Sequence, residues 1–487
     1  MFKEKSANNR IFGLCGVGGG LFVAASCSMP AVAQSFDAGR PNVLLVIAED
    51  MSYNDLGCYG NPDVRTPNLD RFAKQAVRYT NATSTGAVSS ATRSGLITGM
   101  YQTSIGAHNH RTLAQDKKPL PEGVLPITFA IRQAGYLPVL CAHEDLKWGK
   151  SHPGPWGSGK TDFNFKFNEK TIFDAHNWSA AEKDQPFFAY LTLLASHRGK
   201  WWQEGEVREG GIDADALTSI PPYYPDNEVS RQDFAAYYDA VEVVDRNFGQ
   251  ILERLEKEGI LNSTIVVFMS DHGRPMPRDK QFCWDEGIHI PLMVRYPDLK
   301  GAGTVDDRLV SSIDVSAQII RWCGAEIPAN VQGVPFAEKE TPEREYTVSA
   351  RDRCDETVHR IRAIRTKDYL YIRNFDPQVP YTAQNRYKDT RYPILINERE
   401  LYAAGKLPEG VKPFFEPQKP EEQLYDLRTD PRNMHNLAED RKMRRVLKQM
   451  RSYLEEWLTL YPDYGQTPEP QEVMDRILQQ RIQEYGF

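Results

Sequence analysis

Ser89 and Arg93 stand four residues apart in the stretch Ser89-Ser90-Ala91-Thr92-Arg93-Ser94-Gly95-Leu96-Ile97-Thr98-Gly99. A helix through this stretch sets the hydroxyl and the guanidinium on one face. The Ser/Thr/Gly loop Thr83-Ser84-Thr85-Gly86 precedes it and puts Ser89 at the N-terminal end. There, free backbone N–H groups and the helix dipole favour an anion. One turn thus offers an attacking oxygen, a fixed cation and an anion-binding backbone. Taken alone, the same residues also describe an ordinary serine-capped helix.

Four apolar runs end in polar groups that suit metal or acid–base chemistry: Glu49-Asp50, His143-Glu144-Asp145, Ser196-His197 and Asp271-His272. Ligands of open α/β sheets gather outside the carboxyl ends of strands, so these pairs are expected to meet there. Carboxylates held together need a cation, because like charges at close range cannot all stay ionised. Oxygen ligands with one imidazole suit Ca²⁺, or Mg²⁺, better than zinc. Each pair by itself also fits a solvated strand-end turn.

The runs themselves read as elements. Asn42–Ala48, Tyr136–Cys141, Phe187–Leu194 and Thr264–Met269 are continuously apolar, as strands buried on both faces of a parallel sheet are. Helical spacing is expected over Asn68–Tyr79, Pro126–Ala134 and Asp233–Glu258, the last closed by Gly259. Strands alternating with helices make residues 38–335 an α/β domain, with a large, mostly parallel mixed sheet between helices. Residues 336–487 change character. Tyr346–Val348, Ile361–Thr366, Tyr369–Arg373 and Leu424–Leu427 read as antiparallel strands, followed by helices over Lys442–Leu460 and Glu472–Tyr485. They are expected to form a smaller α+β domain.

A chain of 487 residues, 40% hydrophobic and 26% charged, has the composition of a globular protein. Its net charge of −7 argues against nucleic acid as a partner, and a polyanionic substrate needs a local basic pocket. Lys3, Lys5 and Arg10, the apolar run Ile11–Ser26 and Ala31-Val32-Ala33 form a secretory signal expected to be cleaved after Ala33. Cys27 follows Ala24-Ala25-Ser26, a poor lipobox. Cleavage leaves Cys58, Cys141, Cys283, Cys323 and Cys354, an odd and scattered set that fits buried thiols rather than disulfides or zinc. No later run is long enough to span a bilayer.

The Ser89 stretch resembles the sulfatase signature: Cys or Ser, any residue, Pro or Ala, Ser or Thr, Arg, three residues, then Leu-Thr-Gly, for which Ile97-Thr98-Gly99 stands here. The likeness extends through Asp55-Leu56-Gly57-Cys58-Tyr59-Gly60, Thr66-Pro67-Asn68-Leu69-Asp70, Met269-Ser270-Asp271-His272-Gly273 and Gly287-Ile288-His289-Ile290-Pro291-Leu292 to Leu424-Tyr425-Asp426-Leu427. It implies that Ser89 is oxidised to formylglycine (3-oxoalanine), whose hydrate attacks sulfur through one hydroxyl and expels sulfate through the other. It implies a divalent metal held by Glu49, Asp50, Asp271 and His272 together with position 89. Glu49 and His272 depart from the commoner Asp and Asn. Arg93, Lys280 and a second lysine would hold the sulfate. Lys160, in Gly159-Lys160-Thr161-Asp162-Phe163, resembles the sulfamidase-like variant, with Lys147 and Lys150 as competitors. In that variant Asp162 stands where many sulfatases carry a histidine. His197 would contact the sulfate or protonate the leaving oxygen. Arg351 and Arg353, in Arg351-Asp352-Arg353-Cys354-Asp355-Glu356, would read the sugar. The expectation is an exported, periplasmic bacterial sulfatase acting on sulfated carbohydrate, matured by an anaerobic enzyme that accepts serine. A phosphoryl-transfer hydrolase using Ser89 directly and a non-catalytic glycan-binding protein are the alternatives.

Overall fold

Asn42–Ala48 forms β1, in the middle of a seven-stranded sheet. The computed structural model describes residues 39–142, 159–199, 211–218, 220–338 and 341–486. The expected signal segment, together with His143, Glu144, Asp145, Lys147 and Lys150, lies outside them. β2 (Val77–Thr83), β3 (Leu137–Ala142), β4 (Phe187–Leu193), β5 (Thr264–Ser270), β6 (His289–Arg295) and β7 (Val305–Ser311) complete the sheet. Their order is β3-β4-β1-β5-β6-β2-β7. Only β6 runs against its neighbours; the other pairings are parallel.

The apolar runs are continuous because both faces of this sheet are covered. Leu44, Val46 and Ala48 of β1 pack with Phe234, Val241 and Phe248 of the long helix Glu228–Lys257. Val43, Leu45 and Ile47 pack with Leu96, Ile97 and Ile319, from the helices Ser89–Thr98 and Ser312–Trp322. The side chain of Asn227 accepts from Ser230 N and starts the long helix. Ser311 and Asp314 form a capping box on the helix Ser312–Trp322.

The helix expected over Asn68–Tyr79 is shorter than its spacing suggested. It ends at Ala73, and Val77–Thr83 leaves as a strand between β6 and β7. Val77, Tyr79 and Thr80 fit a pleated surface better than a helix once two strands are there to pair with.

The second sheet is antiparallel throughout: β8 (Thr347–Cys354), β9 (Thr357–Arg365), β10 (Tyr369–Asn374) and β11 (Glu422–Asp426), in the order β11-β10-β9-β8. The helix Arg444–Leu460 seats Trp457 against Val348, Ile364 and Tyr371 on one face. Phe282, Tyr381, Tyr392 and Phe414 cover the other. The edge strand β8 bonds to the segments around Ser89. Ala350 N donates to Thr85 O at 2.8 Å and His110 N to Arg353 O at 2.8 Å. Both sheets belong to one compact unit, Arg40–Phe487. Among the described residues no disulfide joins the five cysteines, and no helix is long and apolar enough to cross a membrane.

Candidate active site

β4, β1 and β5 are parallel neighbours, and Ala48 is in register with both Leu193 and Ser270. The residues that follow therefore leave the sheet at one level. Asp50 adopts a left-handed backbone conformation, φ 48°, which aspartate tolerates better than most residues. This turn lets Asp50 N donate to Asp271 Oδ1 at 3.0 Å, and His272 N donates to the same oxygen at 3.0 Å. Tyr237, from the long helix, donates its hydroxyl to Asp50 O at 3.1 Å and to Asp55 Oδ2 at 2.7 Å. Two segments more than two hundred residues apart are locked together in this way.

Val88 is the N-cap of the helix Ser89–Thr98, and no side chain caps it. Ser89 is therefore not the cap that its residue type allowed. Its Oγ turns to the strand ends instead, 3.4 Å from Glu49 Oε2 and 3.1 Å from His272 Nε2. His272 Nδ1 donates to Gly273 O at 2.9 Å. In the neutral imidazole that leaves a lone pair on Nε2. Nε2 is 3.1 Å from Asp50 Oδ1, and in that neutral tautomer its lone pair faces the carboxylate oxygen.

Glu49, Asp50 and Asp271 are buried, and each meets a cation. Arg93 Nη2 pairs with Glu49 Oε1, and its Nε lies 3.4 Å from Asp271 Oδ2. Lys160 Nζ pairs with Glu49 Oε2, and Lys280 Nζ lies 2.6 Å from Asp50 Oδ2. Burial opposes charge on Glu49, but Arg93 and Lys160 outweigh it and hold the carboxyl well below the usual range. For Asp50, Lys280 does the same against burial. Asp271 goes the other way: burial and the nearby Glu49 charge raise it. Asp50 Oδ1 and Asp271 Oδ2 have no hydrogen-bond partner. Atoms of Asp50, Asp271 and His272 lie within 4.8 Å of one another, as do atoms of Glu49, Asp50 and His197. Orphaned carboxylate oxygens beside an imidazole lone pair form a donor set that fits a hard divalent cation.

Arg93 Nη1 donates to Tyr190 Oη at 2.9 Å and to Thr192 Oγ1 at 3.0 Å. Neither residue stood out in the sequence. The signal was there: 190 and 192 alternate on a strand, so they share the face on which Arg93 lies. His197 follows β4, and burial together with Lys280 pushes its imidazole down to about 3, so the ring is neutral. Asp162 Oδ2 is 3.7 Å from Lys160 Nζ and partly exposed.

Arg351 and Arg353 do not join this cluster. Arg353 gives all five of its N–H donors to the protein: two to Glu469, and one each to His110 O, Asp355 O and Thr112 Oγ1. These bonds tie β8 to the segments around His110 and Glu469. Arg351 is buried, with its Cζ 4.3 Å from the centre of the Phe282 ring.

Residues 41–325 match the Sulfatase family model, and residues 277–391 match N-sulphoglucosamine sulphohydrolase, C-terminal. The chain is 31% identical to an ulvan-active sulfatase of Formosa agariphila, covering 88% of this chain and 76% of the relative. It is 24% identical to human N-sulphoglucosamine sulphohydrolase, covering 89% and 93%. In fold it is similar to a 2-O glycosaminoglycan sulfatase, with a TM-score of 0.62 at 17% identity over 90% of this chain and 96% of that one. A phosphonate monoester hydrolase of Agrobacterium radiobacter shares the fold as well, at 0.53 and 19% over 86% and 95%. The fold alone therefore does not separate sulfuryl from phosphoryl chemistry; the sequence matches do, and the chain belongs to the sulfatase family, hydrolases of sulfate esters or sulfamates, with a C-terminal region of the sulfamidase type.

Proposed function

We propose that the protein is an exported sulfatase that removes sulfate from a sulfated oligosaccharide or polysaccharide, with formylglycine made from Ser89 and a divalent ion, Ca²⁺ or Mg²⁺, as its cofactors. The supporting observation is one buried cluster: Ser89 Oγ lies beside Glu49 and His272, and Glu49, Asp50 and Asp271 are met by Arg93, Lys160 and Lys280. Those carboxylates and cations balance, so a bound divalent ion leaves the site with the positive charge that a sulfate group needs.

Glu49, Asp50, Asp271 and His272 would hold the ion, which supplies positive charge for lowering the pKa of a bound hydroxyl and for polarising a sulfate oxygen. Position 89, once oxidised, supplies a hydrated aldehyde. Arg93, fixed by Tyr190 and Thr192, donates to the sulfate oxygens and orients the group. Lys160 and Lys280 exchange part of their contact with Glu49 and Asp50 for the same oxygens. His197, half-buried and neutral, donates a ring N–H towards the sulfate or the leaving oxygen. Asp162, beside Lys160, borders the side where the sugar enters. The basic, apolar N-terminal segment and its Ala31-Val32-Ala33 site support export to a periplasm. Maturation of a serine supports an anaerobic enzyme acting before export.

Peptide mass spectrometry across Ser89, run beside sulfate-release assays on defined sulfated oligosaccharides, tests this reading. Protein made without the maturing enzyme should be folded and inactive, and Ser89→Cys made in a host that converts cysteine should be active. Full turnover by protein whose Ser89 is unmodified would refute it and favour direct attack by the serine.

A further inference from the structure

Four basic side chains meet at a place the proposed reaction does not use, behind the segment that carries Lys280. Arg351 comes from β8, His359 from β9, Lys388 from the helix Arg386–Arg391, and Lys419 precedes β11. They are 2%, 0%, 4% and 4% exposed. The Phe282 ring is common to three of them: its centre is 4.3 Å from Arg351 Cζ, 4.6 Å from Lys388 Nζ and 5.9 Å from the His359 ring. Lys419 Nζ is 2.6 Å from His359 Nδ1. Among the described residues none of the four forms an ion pair with a carboxylate. Asp352, the neighbour of Arg351, is taken by Arg362 at 3.1 Å. The thiols of Cys283 and Cys354 face Arg351, but burial pushes Cys283 up to about 12 and raises Cys354, so they bring no negative charge.

The cations are partly solvated by backbone. Lys388 Nζ donates to Pro277 O and Lys280 O, each at 2.7 Å, and Lys419 Nζ donates to Val379 O at 2.6 Å. Arg351 Nε and Nη1 and Gln281 Nε2 have no hydrogen-bond partner. Arg351, Lys388, Gln281 and Phe282 line one cavity, with about 10 Å³ for the centre of a water-sized sphere. That is room for one occupant of roughly water size. A sulfate ion, a phosphate or a sugar carboxylate is too large. Asp279 and Glu398 act on Lys388, but burial raises both carboxyls, so they offset the cations little, and an anion suits the unpartnered Arg351 donors better than a neutral water. Burial lowers Arg351, Lys388 and His359 and brings Lys419 down to about 7, and the Arg351 charge adds to the lowering of the other three, a repulsion that a bound anion would relieve.

We propose that this cavity binds one monatomic halide, chloride in solution, through Arg351, Lys388 and Gln281, and that the ion braces the segment 277–281 from behind. Lys388 already ties that segment by its carbonyls, and Gln281 follows Lys280 directly.

Crystals grown with bromide in place of chloride test the site by anomalous scattering. A peak between Arg351 and Lys388 is expected, and density of a water without an anomalous peak overturns the proposal. A peak that persists undiminished in Arg351→Met marks an adventitious halide and also overturns it. In solution, thermal midpoints are compared in chloride and in gluconate at equal ionic strength. Wild type should gain a few degrees in chloride with saturable dependence, and Arg351→Met and Lys388→Met should lose that gain. Equal wild-type midpoints in the two salts overturn the bracing role, whether or not the variants fold.

Discussion

Two charge clusters lie on opposite sides of the segment that carries Lys280, and they are built on opposite plans. At the strand ends, every buried carboxylate has a cation, and carboxylate oxygens are left over. Around Phe282, the cations have backbone carbonyls and aromatic faces but, among the described residues, no ion pair with a carboxylate, and N–H donors are left over. The leftover atoms say what each cluster lacks: a cation in the first, an anion in the second. Burial makes both demands severe, since an unpaired polar atom away from water costs about 1–3 kcal/mol and a charge more. The comparison also separates function from architecture. The first cluster faces Ser89, whereas the second is tied to the site through backbone, by Lys388 on the carbonyl of Lys280 and by Gln281 N donating to Ala87 O at 2.9 Å.

The comparison breaks most visibly at the metal ligands. Asp50→Ala and Asp271→Ala should each reduce sulfate release by on the order of 10³-fold or more, the scale of losing several kcal/mol of charge stabilisation. Both should also lose calcium binding by calorimetry while keeping the fold; unchanged binding in both removes the site. Chelation should show the same cluster from the side of stability. With the ion at a hundred times its dissociation constant, its removal should cost wild type about 2.7 kcal/mol, and should cost Asp271→Ala nothing. Equal sensitivity of the two proteins to chelator would place the ion elsewhere.

Arg353 sharpens the boundary between the site and the scaffold. Glu469→Ala leaves its buried guanidinium uncompensated and should destabilise the fold by about 3 kcal/mol, with KM unchanged. A raised KM in a protein of unaltered melting point would return Arg353 to the substrate. Tyr190→Phe removes one charge-assisted hydrogen bond from Arg93, worth about 1.5–3 kcal/mol, so turnover should fall by no more than about a hundredfold. A larger loss would make the tyrosine hydroxyl a contact of the substrate itself.

The smallest effect concerns acid. Burial opposes charge on Asp285, but Arg365 and His289 outweigh it and hold the carboxyl below its ordinary value. A depressed folded-state value contributes stability above the unfolded value of about 3.9 and loses it as pH falls through the folded one. Arg365→Met raises the folded value, so its acid-unfolding midpoint should move to higher pH. A midpoint that stays put, followed by far-UV circular dichroism, would show that this pair contributes nothing to acid resistance.

Some of this was legible in the chain alone. β1, β4 and β5 announce themselves because a strand covered on both faces must be apolar at every position, and that is a local property. The polar pairs after them, and the Ser89–Arg93 spacing, follow from strand ends and helical period in the same way. The antiparallel strands of the second sheet were legible in position but too short: β8 runs six residues past Val348, through Arg351 and Arg353, and β9 begins four residues before Ile361. Other features depend on partners distant in sequence. Val77–Thr83 carries both periods until β6 and β7 select the strand. Ser89 has the residue type of a cap, and only the nearness of Glu49 and His272 turns its hydroxyl into the site. Arg351 and Arg353 share one strand and one residue type, yet one is saturated by Glu469 and backbone while the other is left with empty donors. Residue type and spacing determine what a side chain is able to do, because they set its chemistry and its face. Which partner reaches it first is settled by packing, because the competing acceptors come from segments whose distance no local pattern encodes.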